Sequence, residues 1–141
     1  MSETVVEKYK IVVASGKRKT SIAKAIVKPG IGRVWINGIP LEIFPVELAR
    51  VKMMEPLMLV GDLWKKVDIK VEVRGGGVMS QAEAARTAIA RGLLEYVNND
   101  EEVKKIFTEY DRHMLSGDPR RTESEKWGRY SARRRWQKSY R

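Results

Sequence analysis

Residues 67–94 read VDIKVEVRGGGVMSQAEAARTAIARGLL. In the first seven, Val67, Ile69, Val71 and Val73 fall on one side of an extended chain, and Asp68, Lys70 and Glu72 fall on the other. A period of two predicts a strand with one buried face. The run RGGG at 74–77 ends it, and from about Ser80 the period changes. Ala82, Ala85, Ile89, Leu93 and Tyr96 form an apolar stripe at helical spacing. Glu83, Thr87, Arg91 and Glu95 repeat every four residues on the side assigned to water.

Upstream, VVEKYKIVV (5–13) is β-branched and aromatic and predicts a strand. SGKRKTS then breaks the pattern with a glycine and three successive cations. SIAKAIVK (21–28) predicts a second strand, stopped by Pro29-Gly30-Ile31-Gly32. RVWI (33–36) predicts a third, closed by Asn37-Gly38, a strong turn signal. LEIF (41–44) reads as an extension of the sheet. Pro45 opens a helix over VELARVKMM, and Pro56 is expected to close it.

Downstream, Asn99 is the expected cap of a further helix, with Glu102 at the reciprocal position. Val103, Ile106, Phe107, Tyr110 and Met114 supply its apolar face. After Ser116-Gly117-Asp118-Pro119 no periodicity survives, and there is no internal repeat. The pattern predicts the α+β class, with a globular domain over residues 1–116 and an extended basic C-terminal tail over 117–141.

The charge follows the same division. The net charge of the 141 residues is +10, but residues 1–111 carry only +3 of it and residues 112–141 carry +7. Such asymmetry points to a polyanionic partner, a nucleic acid or an anionic membrane. With no cysteine, thiolate catalysis, disulfides and cysteine-ligated metal are excluded. One histidine, His113, excludes a multi-histidine metal site. The N-terminal decapeptide lacks a signal-peptide apolar run, and no stretch approaches the ~20 apolar residues that span a bilayer. A soluble, cytoplasmic protein is expected.

The tail is the strongest chemical signal. Residues 126–141 hold seven cations (Lys126, Arg129, Arg133, Arg134, Arg135, Lys138 and Arg141) and no acid, interleaved with Trp127, Tyr130, Trp136 and Tyr140. Cations neutralise phosphates and release counterions, and aromatic rings stack on unpaired bases. A merely solubilising tail would not need four large aromatics. GKRKT (16–20) presents Lys17, Arg18 and Lys19 in one place, either as an ordinary exposed hairpin or as a second polyanion contact. Lys24, Lys28 and Arg33 nearby favour the contact.

Other candidates divide evenly or favour the plainer role. RGGG before a helix suits an anion at the helix N-terminus or close strand–helix packing equally. It matches neither the phosphate-loop nor the dinucleotide pattern. Arg86 lies at the edge of the apolar stripe, where it either snorkels or emerges to meet phosphate. His113 reads as a surface or capping residue. Asp111, Asp118, Glu123 and Glu125 are expected to pair with the arginines among them rather than hold a metal.

At larger scale the residues match a known pattern. GGGVMSQAEAARTAIARGLL (75–94) resembles the signature segment of the ninth small-subunit ribosomal protein family. GKRKTSIAKAIVKPGIGRVWINGIPLE is similar to that family's N-terminal strands, and DPRRTESEKWG and ARRRWQKSYR to its tail. The likeness runs from about Val12 to Arg141, and the terminal KSYR resembles the archaeal or eukaryotic branch, with the archaeal favoured. Bacterial members end in Ser-Lys-Arg, so Tyr140 departs from that ending. The resemblance implies a small sandwich of a mainly antiparallel sheet packed with helices, with a left-handed β-α-β crossover against the usual rule. It implies a structural ribosomal protein in the head of the small subunit, bound to small-subunit ribosomal RNA beside other head proteins. It also implies a tail that reaches the peptidyl-site transfer RNA.

Carried onto this chain, the ribosomal-RNA contacts are Lys17, Arg18, Lys19, Arg120, Arg121, Lys126, Arg129 and Arg133 to Arg135. Arg86 is assigned to ribosomal RNA with them. The transfer-RNA end is Lys138, Ser139, Tyr140 and Arg141, where Tyr140 would replace charge by stacking or a hydroxyl hydrogen bond. No cofactor, metal, membrane or homo-oligomer is expected. Two rivals remain: a free-standing RNA chaperone or regulator, and a small-molecule kinase-like enzyme using RGGGVMS as a phosphate cradle. A shared fold does not confer that reaction, and it leaves the tail unexplained.

Overall fold

The computed structural model describes residues 10–121, 123–125, 127, 128 and 132. Five strands form one sheet: β1 (Val12–Arg18), β2 (Ser21–Pro29), β3 (Val34–Ile36), β4 (Ile39–Pro40) and β5 (Val67–Arg74). Their order is β1-β2-β5-β3-β4, with β3 and β5 parallel and every other neighbouring pair antiparallel. The helices are α1 (Glu47–Leu59), α2 (Val78–Tyr96), α3 (Glu101–Tyr110) and α4 (His113–Ser116). The class is α+β, as the periodicities predict.

The alternation in β5 is realised: Val67, Ile69, Val71 and Val73 are all buried. Register aligns Val27, Ile69 and Val34 in one row, and Ala25, Val71 and Ile36 in the next. α1 adds Ala49, Met53 and Leu57 to this face, and α2 adds Ala82, Ala85, Ile89 and Leu93, so one face of the sheet carries the main core. A second, smaller cluster joins Ala90 of α2 to Phe107 of α3 and Met114 of α4.

Several local expectations are corrected. The first strand does not stop before SGKR but runs through it, and only Lys19-Thr20 turn. Residues 5–9 lie outside the described residues. Gly16 belongs in the strand because α2 lies directly on it: a Cβ there would stand 2.3 Å from the Ala84 carbonyl oxygen. Gly92 on α2 lets the helix settle on Val27 in the same way. LEIF does not extend the sheet; β4 is the dipeptide before it, and Leu41–Ile43 form a 3₁₀ turn. α1 does not end at Pro56 but continues to Leu59. Pro56 forfeits one ladder bond, and its buried ring compensates by packing.

Three further positions differ. The cap of α3 is Asp100, whose carboxylate accepts from the Glu102 N–H at 3.1 Å, because Asn98 and Asn99 turn through φ 58 each. Of the apolar face assigned to that helix, Phe107 is buried, Ile106 and Tyr110 are exposed, and Met114 sits on α4. Thr87 is buried rather than wet, since α2 is enclosed along most of its length. Asp68, on the outer face of β5, is buried too, under the Gly30–Arg33 turn. Its Oδ1 accepts from the N–H groups of Ile31 (3.0 Å) and Arg33 (3.1 Å), and its Oδ2 meets Arg33 Nη2 at 3.0 Å.

Candidate nucleic-acid interface

A groove of about 580 Å³ opens where the β1–β2 hairpin, α2, α4 and the segment after α4 converge. The hairpin contributes Lys17 and Lys19, both exposed, with Lys19 at φ 53 in the turn. α2 contributes Arg91. Its Nε donates to the Leu115 carbonyl at 2.6 Å and its Nη1 to the Ser15 carbonyl at 2.9 Å, which ties α4 to β1. Both acceptors are neutral carbonyls. Arg112 and Arg121 are exposed at the groove's other wall.

Gly117, at φ 77, turns the chain out of α4, and its N–H closes that helix on the His113 carbonyl at 2.9 Å. The His113 ring places Nδ1 3.2 Å from the Gly117 carbonyl, a capping arrangement as expected. Asp118 is the groove's acid. Arg120 Nε donates to both carboxylate oxygens, at 3.0 and 2.9 Å, and the Arg120 backbone N–H adds a bond at 3.0 Å. These bonds, then the charges of Arg120 and Arg18, hold the Asp118 carboxyl far below the usual carboxylate range. That acid is therefore already satisfied. Lys17, Lys19, Arg112 and Arg121 carry no ion pair among the described residues. Four such cations around one concave opening give it a positive potential that suits an anion.

The structure separates the sequence candidates. It brings Lys17, Lys19, Arg120 and Arg121 together at the groove. Arg18, the middle cation of GKRKT, points away to Glu83 at 2.6 Å and Asp118 at 3.4 Å, with a side chain only 13% exposed. It fastens β1 to α2 and to the outgoing segment, so its charge is engaged internally. Arg86 does not emerge toward phosphate. Its Nη1 meets Glu55 at 2.7 Å and its Nη2 meets Asp111 at 3.1 Å, beneath α1 and α3. The side chain is 9% exposed, and two carboxylates outcompete solvent for it. Burial pulls its pKa down, but the bonds and charges of Glu55 and Asp111 raise it overall. Lys126, Arg129, Arg133, Arg134, Arg135, Lys138, Ser139, Tyr140 and Arg141 lie outside the described residues.

The glycine run also finds its role. Gly75 and Gly76 adopt φ 82 and 64, and Cβ atoms there would meet Thr20 O at 2.6 Å and Ser21 Oγ at 2.2 Å. Ser21 Oγ and Gln81 Nε2 both donate to the Gly75 carbonyl, at 2.9 and 3.0 Å. Close packing on the hairpin explains these glycines. Sequence reasoning missed Arg91 and Arg112 as groove residues. Arg91 was legible only as one member of an outward row, and Arg112 as a partner for nearby acids. Among the described residues no cluster of acids and histidine could hold a metal, and no helix is long and apolar enough to cross a membrane.

Comparison with known proteins gives a consistent result. Residues 16–141 match the model of the family described as Ribosomal protein S9/S16. The small ribosomal subunit protein uS9 of Desulfurococcus amylolyticus is 71% identical over the full length of both chains. The proteins of the same name from Aeropyrum pernix and Methanothrix thermoacetophila are 56% and 51% identical. Those matches cover 94% of this chain in each case, and 97% and 99% of the relatives.

Proposed function

The chain belongs to the ribosomal protein S9/S16 family, and from that premise we propose that it is a structural, non-catalytic component of the small ribosomal subunit. Its globular part, residues 1–116, binds small-subunit ribosomal RNA through the groove. Its basic tail, residues 117–141, carries further cations along the RNA and ends at the peptidyl-site transfer RNA. Lys138, Ser139, Tyr140 and Arg141 are the residues assigned to that end, and Lys126, Arg129 and Arg133 to Arg135 to the ribosomal RNA before it. Other proteins of the subunit head are its neighbours. The connection from β3 through α1 to β5 is the place for the left-handed crossover that the family resemblance implies.

The observation that carries the proposal is the groove at the root of the tail. Lys17, Lys19, Arg112 and Arg121 converge there unpaired, while the adjacent Asp118 is consumed by Arg120 and Arg18. A catalytic site needs groups of matched acid–base character. This groove offers fixed positive charge, which suits phosphodiester backbone. The test replaces the native chain in cells with Lys19→Gln/Arg112→Gln/Arg121→Gln and follows sedimentation. Reduced occupancy in small subunits is expected, and the charge-preserving variant Lys19→Arg/Arg112→Lys/Arg121→Lys should keep occupancy near the parent's. Undiminished occupancy would remove the groove from the RNA contact.

A further inference from the structure

The helices cover one face of the sheet, and the other face is open. Lys24 and Lys28 of β2, and Lys70 and Arg74 of β5, are all exposed on it. Against these four cations stand two acids. Asp68 is buried and held by Arg33. Glu72 is directly opposite Lys24 in register, yet no ion pair forms there among the described residues. A face that served solubility alone would mix its signs. A shallow hollow of about 530 Å³ lies across β1, β2 and β5, with Val13 and Ile22 exposed in its floor.

The face also lacks what single-stranded RNA requires. Its ring among the described residues is Trp35 on β3, and the Arg33 guanidinium stands 5.0 Å over that ring. Among the described residues the face thus offers little ring surface for an unpaired base to stack on. Lys24 and Lys28 on β2, and Lys70 and Arg74 on β5, are each four residues apart, so the cations stand about 13–14 Å apart along two strands about 4.8 Å from each other and form an open grid of point charges. Such a grid meets phosphates and reads no base. We propose that the open sheet face is a second RNA-docking surface, separate from the groove, that receives the phosphodiester backbone of an RNA helix. This docking rests on the ribosomal function proposed above. It divides the labour of the chain: helix backbone on the sheet, and aromatic contacts left to the tail.

The test is binding of the full-length chain to a small-subunit ribosomal RNA transcript as salt is raised. Lys24→Gln/Lys28→Gln/Lys70→Gln changes only outward side chains, and an unchanged melting temperature verifies the fold. Each lost phosphate contact lowers the log–log salt slope by about 0.9, so a fall of about 2–3 is expected. The Lys→Arg triple variant should keep the full slope. The groove variant Lys19→Gln/Arg112→Gln/Arg121→Gln is measured beside it. If the groove variant weakens binding and the sheet variant does not, the sheet proposal is overturned and the ribosomal function stands. If neither weakens it, both fall. If the sheet variant keeps its RNA slope but loses an acidic protein of the subunit, the face is a protein interface and the proposal is wrong.

Discussion

Arg86 is the residue on which the helical layer depends. It bridges Glu55 of α1 and Asp111 at the end of α3, with its Nε buried and unpartnered. Removing one member of a buried ion pair strands the others, at a cost of about 3–5 kcal/mol. Arg86→Ala is therefore expected to lower unfolding free energy by about that much in a denaturant titration, while the salt slope of RNA binding stays unchanged. A change in slope instead would restore Arg86 to the phosphate contacts. Asp68 makes a second prediction through pH. Burial raises its pKa, but the N–H groups of Arg33 and Ile31 and the Arg33 guanidinium lower it further, so the folded value lies below the ordinary one. The stabilisation is then fully present above about pH 4 and lost as pH falls through the folded value. Asp68→Asn should lose stability at neutral pH and show a shallower acid decline below pH 4. Asp118, shifted in the same direction, leaves a residual decline. An acid profile identical to the parent's would contradict the assignment. Neither role was legible in the sequence. Asp68 alternates outward in its strand, and only the folded-over turn makes it interior. Arg86 sits at a stripe's edge, where sequence spacing fits both outcomes.

At the scale of elements, the contact between β1 and α2 sets the fold's dimensions. Gly16 admits the α2 backbone, and Ala14, Ala23 and Ala25 keep the same region shallow. Gly16→Ala would force its Cβ against the Ala84 carbonyl oxygen, which cannot swing aside as a side chain would. A loss of about 1–3 kcal/mol or more is expected from such overpacking, read as a lower melting temperature. Gly92→Ala meets the Val27 Cγ2 atom at 2.8 Å, a side-chain end that can yield, so it should cost less. Equal losses would contradict this picture. The same contact explains what was readable. β5 and β2 alternate cleanly and were predicted within a residue. β1 was cut short in the sequence because Gly16 and three cations look like a turn; the glycine answers a helix that is 68 residues away in the chain. α1 was ended early at Pro56 because local rules place proline beyond a helix end, and burial of the ring overrides them. The groove was half legible: Lys17, Lys19, Arg120 and Arg121 stood out as clusters. Arg91 and Arg112 needed the tertiary fold to join them.

At the scale of the whole molecule, charge is distributed unevenly. The core face carries helices, the hairpin end and the outgoing segment carry the groove, and the open sheet face carries unpaired lysines. Of the +7 held by residues 112–141, +2 lies beyond Arg135, on Lys138 and Arg141 in the part assigned to transfer RNA. Truncation of residues 136–141 should therefore leave subunit assembly intact and weaken peptidyl-site transfer-RNA binding by about 1–2 kcal/mol, as the loss of one or two hydrogen bonds would. Filter binding to reconstituted subunits measures it, and a loss of assembly would contradict it. The central claim is that the groove lies on small-subunit ribosomal RNA while the chain end meets transfer RNA. The most direct measurement is crosslinking in living cells, with the attached RNA sequenced and the crosslinked residue mapped. The account predicts Lys19, Arg112 and Arg121 joined to small-subunit ribosomal RNA, and residues 138–141 joined to transfer-RNA anticodon arms. Crosslinks scattered over messenger RNAs without ribosomal enrichment would contradict it.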